Sequence, residues 1–159
     1  MDEQTFKHIA QKMQPDLLLI AHNILGDEEE AKDVVQDCLL RLWQTREEVG
    51  NIKGFARILV RNKSLNILRD RKTSIQIDTF ATDDIAPPDE HDERIEHMMN
   101  LVNQLPTMQQ TVLRLRHMEG KEMSEIAQMI GTTEQAIRQS LSRARRAVLL
   151  NYNKQNQKQ

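Results

Sequence analysis

Hydrophobic residues recur every three or four positions along most of this chain, which is the spacing of one face of an α-helix. The first run covers residues 6–24, and Gly26 just after it is typical of a left-handed helix cap. Because proline has no backbone N–H to donate, we expect Pro15 to break or kink this run. The pattern predicts a helical amino terminus with one apolar side.

A second helix is predicted from a start signal at Asp27. Glu30 lies three residues further on, as in a capping box, and acidic residues fill the first turn, where the helix dipole favours them. An apolar stripe extends from Ala31 to Trp43, and we expect Gly50-Asn51 to close the helix. The same spacing predicts a third helix from about Phe55 to Arg71.

Helical periodicity is lost over residues 73–91, which are rich in Asp and contain Pro87-Pro88. Such a composition is typical of a linker. The sequence therefore predicts an all-α fold with two small helical domains, residues 1–72 and 92–159. An acidic, flexible linker over residues 73–91 would join them.

The second domain is predicted to end in two closely spaced helices. Its predicted helices cover residues 95–105, 108–120, 123–130 and 133–150. Gly131 supplies a turn before the last helix, and we interpret Thr132 with Gln135 as a capping box. A short helix, a glycine turn and a second helix form the pattern of a helix-turn-helix.

The last helix has an apolar side and a polar, basic side. The residues on the apolar side are Ile137, Leu141, Ala144 and Val148. The residues at or beside the opposite pole are Gln135, Arg138, Gln139, Ser142, Arg143 and Arg146. Gln can bind adenine edges and Arg can bind guanine or phosphate, so this side predicts DNA binding. The alternative interpretation is a surface helix whose polar side is simply solvated.

The charge of the chain is close to neutral but unevenly distributed. Its 22 basic and 24 acidic residues give a net charge of −2, which argues against nucleic-acid binding only if the charge is spread evenly. Acids outnumber bases by 11 to 5 over residues 1–50 and by 8 to 1 over residues 78–99. Bases outnumber acids by 7 to 1 over residues 51–77 and by 9 to 4 over residues 100–159. Such blocks often accompany nucleic-acid or charged-partner binding, although like-charged helix faces are also often solvated.

Several classes of protein and site are not supported by the sequence. The single cysteine, Cys38, lies on the apolar stripe as a core thiol, and it rules out an internal disulfide. Together with the lack of an amino-terminal apolar run, it predicts a cytoplasmic protein without membrane insertion. No Cys/His spacing suits zinc, no Gly-rich loop suits phosphate, and no nucleophile–base pair is evident. We therefore expect no enzyme, no catalytic residues, no metal and no cofactor.

Three segments resemble a known protein family. They are ILGDEEEAKDVVQDCLLRLW (Ile24–Trp43), GFARILVRNKSLNILRDRK (Gly54–Lys72) and LPTMQQTVLRLRHMEGKEMSEIAQMIGTTEQAIRQSLSRARRAVL (Leu105–Leu149). They resemble, in turn, the first-domain signature, the promoter-facing helix and the helix-turn-helix domain of bacterial RNA polymerase sigma factors. The resemblance is to the extracytoplasmic-function (ECF) group of the sigma-70 family. It implies a sigma2-type helical bundle followed by a sigma4-type helix-turn-helix domain.

The resemblance also implies three sets of binding residues. The set that would meet the −35 promoter element is Thr132, Thr133, Gln135, Arg138, Gln139, Ser142, Arg143, Arg145 and Arg146, with the last two on phosphates. The set that would meet the −10 element, where an unstacked base is captured, is Asn51, Lys53, Arg57, Arg61, Asn62, Asn66 and Arg69. The set that would dock on the polymerase is Asp33, Gln36, Asp37, Leu40 and Arg41.

The implied partners are core RNA polymerase, through its clamp coiled coil and flap, promoter DNA and an anti-sigma factor. The implied function is promoter-specific transcription initiation. One alternative is a free-standing helix-turn-helix regulator that acts without core polymerase. Another is an interaction protein whose basic helices dock on an acidic protein. The amino-terminal signature favours the sigma interpretation over both.

Overall fold

The structure is a computed structural model that describes residues 1–80 and 90–157, with side chains described for residues 1–71 and 93–154. In this part of the chain the regular structure is helical throughout, which confirms the predicted fold class. The helices are α1 (Glu3–Leu25), α2 (Glu28–Thr45), α3 (Ile52–Phe80), α4 (Glu90–Asn103), α5 (Thr107–His117), α6 (Met123–Ile130) and α7 (Glu134–Gln157), with a 3₁₀ turn at Arg46–Glu48. The chain divides into two compact units, Met1–Asp83 with Met129–Gly131 and Asp84–Gln128 with Thr132–Gln159.

In the amino-terminal unit, α1, α2 and α3 each pack against the other two. The largest side chains that are fully buried there are Leu17, Val35, Leu42, Phe55 and Val60. Cys38 is buried among the α2 core residues, as predicted. Burial raises the pKa of its thiol to about 12, so the thiol is uncharged at neutral pH and packs as a small apolar group.

Helix α1 continues through Pro15, so the predicted break is absent. A proline inside a helix removes one hydrogen bond and costs about 3 kcal/mol. Buried residues lie on both sides of it, including Met13 and Leu17, and their packing against the core keeps the two halves in one helix. The helix ends at Gly26, whose φ of 75° is the predicted left-handed cap.

Helix α2 begins as predicted and ends earlier than predicted. The Asp27 carboxylate accepts hydrogen bonds from the backbone N–H groups of Glu29 and Glu30. The Glu30 carboxylate forms an ion pair with Arg71 on α3, which ties the start of α2 to that helix. The helix ends at Thr45, because the 3₁₀ turn follows it before Gly50 is reached.

Helix α3 is longer at both ends than the sequence predicts. It starts at Ile52, because the Asn51 side-chain oxygen accepts from the N–H of Gly54 at 3.1 Å and caps it. It continues to Phe80, since no Gly or Pro follows Arg71 within the helix to stop it. The first part of the predicted linker is therefore helical, and residues 81–89 of that linker lie outside the described part.

In the carboxyl-terminal unit, α5 and α4 pack against α7 and against each other. Asn103 at the end of α4 accepts hydrogen bonds through Oδ1 from Gln110 and from Arg114, which is only 7% exposed. The short helix α6 has the bounds that the sequence predicts, and its apolar residues Ile126 and Ile130 are fully buried.

Three apolar residues of α3 and α4 are exposed. Leu65 is 40% exposed because Ala56, Val60 and Ser64, spaced four residues apart, take the inward side of α3. Ile95 and Met98 on α4 are also exposed.

Candidate nucleic-acid interface

The outer side of α7 presents polar and basic side chains to solvent. The residues on its inner side are buried, as predicted: Ile137, Leu141, Ala144 and Val148. The predicted −35 residues that are exposed are Thr133, Gln135, Arg138, Gln139, Ser142, Arg143, Arg145 and Arg146. Thr132 is half-buried. The structure therefore brings this set together on one side of a single helix and the turn before it.

The backbone around Gly131 sets the start of α7. Gly131 has a φ of 81°, and the N–H of the next residue, Thr132, donates to the carbonyl of Ala127 at 2.9 Å. Thr132 is thus part of the turn, and the predicted capping role passes to its neighbour. The Thr133 hydroxyl accepts from the N–H of Ala136 at 3.1 Å, which satisfies one free N–H group at the helix start.

The arginines of α7 differ in their surroundings. Arg145 donates through Nε and Nη2 to Nε2 of His117, at 3.1 and 3.0 Å. The pKa of His117 is lowered, mainly by partial burial and further by the positive charges of Arg145 and Arg116. By contrast, Arg138, Arg143 and Arg146 have no ion-pair partner among the side chains that the structure describes, so their charges are available to a ligand.

The predicted −10 residues on α3 occupy two sides of that helix. At about 100° per residue, Lys53, Arg57 and Arg61 follow one another along one side. By the same count, Asn62, Asn66 and Arg69 form a separate group that begins about 100° further round. The structure therefore does not bring all seven residues into one patch.

The individual environments of the −10 residues also differ. Arg57 donates through Nε and Nη2 to Oδ2 of Asp16 on α1, both at 2.7 Å, and Arg69 donates to the Asn66 side-chain oxygen. Asn51 caps α3, so its side-chain oxygen is already engaged. The Asn62 amide nitrogen is buried and has no hydrogen-bond partner among the described residues.

The predicted polymerase-binding residues form one stripe along α2. Asp33, Gln36 and Leu40 are exposed, and Leu40 is 57% exposed although it is apolar. Asp37 and Arg41 are half-buried and form an ion pair of 2.9 Å between Oδ2 and Nε. Lys63 on α3 lies 3.9 Å from the same Asp37 oxygen.

The described residues include side chains of the kinds that bind metal ions. No group of three or more His, Cys, Asp or Glu side chains in these residues is placed to hold a metal ion.

Two of the contacts above have no signal in the sequence. Asp16 is 41 positions from its partner Arg57, and His117 is 28 positions from Arg145. Each partner lies on a different helix, so only helix packing brings it to the binding residue.

Two family models match the chain, and their bounds follow the two units. The model described as Sigma-70 region 2 matches residues 9–73, and the model described as Sigma-70, region 4 matches residues 95–148. Together they cover well over half of the chain. The chain belongs to the sigma-70 family.

Curated sigma factors align with most of the chain. The ECF RNA polymerase sigma factor SigL of Mycobacterium tuberculosis is 27% identical over 139 residues, which are 82% of this chain and 78% of that protein. RNA polymerase sigma factor SigV of Bacillus subtilis is 26% identical over 133 residues, 81% of this chain and 80% of that protein. These likenesses confirm the resemblance to the ECF group.

A solved structure of the sigma factor RpoE of Bartonella quintana, in complex with the anti-sigma factor NepR, is 24% identical. The alignment covers 91% of this chain and 94% of that one, with a TM-score of 0.43.

Membership in the sigma-70 family decides between the functions that the sequence left open. The region 2 match covers most of α1, all of α2 and most of α3, and these helices lie outside the helix-turn-helix on which a free-standing regulator would rely. The protein is an RNA polymerase sigma factor that directs promoter-specific transcription initiation. No helix in the described part of this sigma-70 protein is long and apolar enough to cross a membrane.

Proposed function

We propose that the two sigma-70 regions of this chain divide promoter recognition between them. Residues 1–72 would bind core RNA polymerase and the −10 element, and residues 92–159 would read the −35 element. One observation carries most of this proposal: the predicted −35 residues from Thr133 to Arg146 are exposed, polar or basic, while the inner side of α7 is buried.

The α7 side chains are suited to a major groove. Gln139 and Arg138 are adjacent and exposed, and they carry the groups that make bidentate contacts with adenine and guanine. Arg145 and Arg146 lie further along the helix and would bind phosphates, which position the protein without reading sequence. His117 would act as a positioning residue, because its ring nitrogen holds the Arg145 guanidinium.

The −10 element would meet α3. Asn62 and Asn66, one turn apart on α3 and both half-buried, carry amide groups of the kind that bind base edges. Lys53, Arg57 and Arg61, on another side of the helix, supply positive charge for the DNA backbone. Asn51 would act mainly by capping α3. The cap fixes the end of the loop near which an unstacked base would be captured.

Core polymerase would bind the α2 stripe. Leu40 contributes exposed apolar area near the carboxyl-terminal end of the stripe, and Asp33 and Gln36 contribute polar groups toward its amino-terminal end. The ion pair between Asp37 and Arg41 holds both side chains in one geometry before binding. We extend the proposal to the clamp coiled coil as the docking site on the polymerase and to the flap as the partner of the second domain.

Further parts of the proposal come from the family resemblance. An anti-sigma factor would regulate the protein, which would act in the cytoplasm without catalytic activity of its own. The acidic residues between 73 and 91 would join the two domains and either follow a basic channel of the polymerase or serve as a solvated tether.

Run-off transcription tests the proposed function. Purified core RNA polymerase with this protein, on genomic fragments, is expected to give defined transcription starts that neither component gives alone. The mapped starts should share sequence elements near −10 and −35. Sequence-specific duplex binding by the isolated protein, with no effect on core polymerase, would contradict the proposal.

A further inference from the structure

We propose that a cavity between α1 and α3 is a phosphate-binding site, that it holds one backbone phosphate of promoter DNA, and that Lys12 of α1 contacts this phosphate. The proposal rests on the proposed function, because it needs α3 to lie against the promoter. It adds α1 to the DNA-binding surface, whereas the sequence assigned α1 no role beyond the core.

The cavity lies wholly within the amino-terminal unit and has a volume of about 160 Å³. Its lining residues are Lys12, Met13, Asp16 and Leu17 from α1, and Lys53 and Arg57 from α3. At about 30 Å³ per water molecule, it has room for several waters and hence for a phosphate group. Buried Met13 and Leu17 supply its apolar lining, and its other four residues carry charges.

Within the cavity lining, positive charge exceeds negative charge. Three cationic residues face one carboxylate, that of Asp16. Lys12 and Lys53 have no ion-pair partner among the side chains that the structure describes. The lining therefore carries an excess of positive charge that a single anion would offset.

The ion pair between Asp16 and Arg57 indicates which anion would fit. Two nitrogens of the guanidinium, Nε and Nη2, converge on one carboxylate oxygen, Oδ2, both at 2.7 Å. A phosphate oxygen can occupy the same position, because Arg binds carboxylates and phosphates with the same donor geometry. The side chains of Arg57 and Asp16 are 62% and 45% exposed, and an ion pair in that setting contributes little to stability. Replacing the Asp16 carboxylate by a phosphate therefore costs little free energy. Asp16 acts as a weak competitor of the DNA phosphate for Arg57.

The charge of α3 favours DNA over a free anion as the source of the phosphate. Residues 51–77, which include both α3 residues of the cavity, carry 7 bases and 1 acid. A helix with this excess attracts a polyanion more strongly than a single free anion, since each neutralised phosphate releases counterions. Promoter DNA brought to α3 would place its backbone within reach of α1.

The test measures binding of promoter DNA by the reconstituted holoenzyme between 50 and 200 mM salt. Lys12→Gln is expected to weaken binding about threefold to tenfold and to reduce the slope of log affinity against log salt by about 0.9, as for one lost phosphate contact. The loss should be equal on promoters of different sequence, because a phosphate contact carries no base information. Asp16→Asn is expected to tighten binding by a similar factor, because it removes the competitor of the phosphate.

Lys7→Gln is the matched control, since Lys7 is an exposed lysine of the same helix that pairs with Glu3 outside the cavity. Equal effects of the Lys7 and Lys12 changes would overturn the proposal, as would weaker binding by Asp16→Asn. Lys12→Arg should restore binding, because it restores the charge. If wild-type holoenzyme binds no promoter, the proposed function fails; if it does and Lys12→Gln matches wild type, only the present proposal fails.

A second arm separates DNA from a free anion. Inorganic phosphate is titrated into the full chain and followed by amide shifts of α1 and α3 in NMR spectra, with chloride at equal ionic strength as the control. Saturable shifts that Lys12→Gln abolishes, together with the loss of DNA affinity, support the site as proposed. The same shifts with unchanged DNA affinity would assign the cavity to a free anion and overturn the DNA part.

Discussion

Arg145 on α7 and His117 at the end of α5 are joined by two short contacts, from Nε and Nη2 of the arginine to Nε2 of the histidine. A guanidinium has donors only, so Nε2 accepts and the imidazole is neutral with its proton on Nδ1. This agrees with the lowered pKa of His117, which arises from partial burial and from the charges of Arg145 and Arg116. A titrating group thus positions a residue of the proposed DNA-binding face.

The stability of the carboxyl-terminal unit should fall as the pH is lowered below neutrality. Unfolded His117 takes up a proton near its ordinary pKa of about 6.5, whereas the folded group does so only at lower pH. Its contribution is therefore present above that value and is lost as the pH falls toward the folded pKa. Thermal unfolding from pH 7.5 to 5 measures this, and His117→Asn, which keeps an acceptor without a titrating ring, should flatten the profile. Arg145→Gln should flatten it in part; an unchanged profile in both variants would contradict the assignment.

Changing Arg138 and Gln139 together to Ala should abolish most discrimination of the −35 sequence. A good bidentate base contact contributes about 1–3 kcal/mol of discrimination, so the ratio of affinities for matched and mismatched promoters should fall tenfold or more. Both residues are exposed on α7, and neither belongs to the α2 stripe, so binding to core polymerase should survive. Competition between promoters in run-off transcription gives the first quantity, and a pull-down with core enzyme gives the second. Loss of polymerase binding would contradict the division of labour.

Charge reversal on the α2 stripe should weaken binding to core polymerase. Asp33→Arg is the sharper test, because Asp33 is exposed and has no ion pair among the described residues, whereas Asp37 pairs with Arg41 and Lys63. Asp33→Arg and Asp37→Arg are each expected to reduce the affinity for core polymerase about threefold to tenfold. This range corresponds to about 1 kcal/mol per exposed charge pair. Affinity is measured by titration of labelled core enzyme. A loss with Asp37→Arg alone would trace the effect to the broken internal ion pair.

Asn103→Ala should destabilise the carboxyl-terminal unit by about 2 kcal/mol, because it removes an acceptor from the buried Arg114 guanidinium. Chemical denaturation of the full chain measures the change in the free energy of unfolding. Asn100→Ala is the matched control, an exposed asparagine of the same helix, and it should change stability by less than about 0.5 kcal/mol. Equal losses in the two variants would show that the Asn103 contact is unimportant.

The helices were predictable because each signal that defines them is local. The Asp27 cap, the Gly26 terminator and the apolar side of α7 depend on residues within a few positions of one another. Local signals failed where packing or capping overrode them, as with Pro15, which stays inside α1. They also failed for Thr132, since the turn at Gly131 moves the cap to Thr133.

The sequence by itself determined the two helical regions, the buried and exposed sides of α7 and the family, because periodicity and motif spacing are properties of contiguous chain. Only the tertiary structure decided which charged groups are paired between helices. It joined Asp16 to Arg57, Asp37 to Lys63 and His117 to Arg145, and it placed Lys12 beside the basic side of α3. Each of these contacts links residues on different helices, so it depends on how the helices pack. The block of positive charge over residues 51–77 is thus written in the sequence, while the part of it that remains available to DNA is set by the fold.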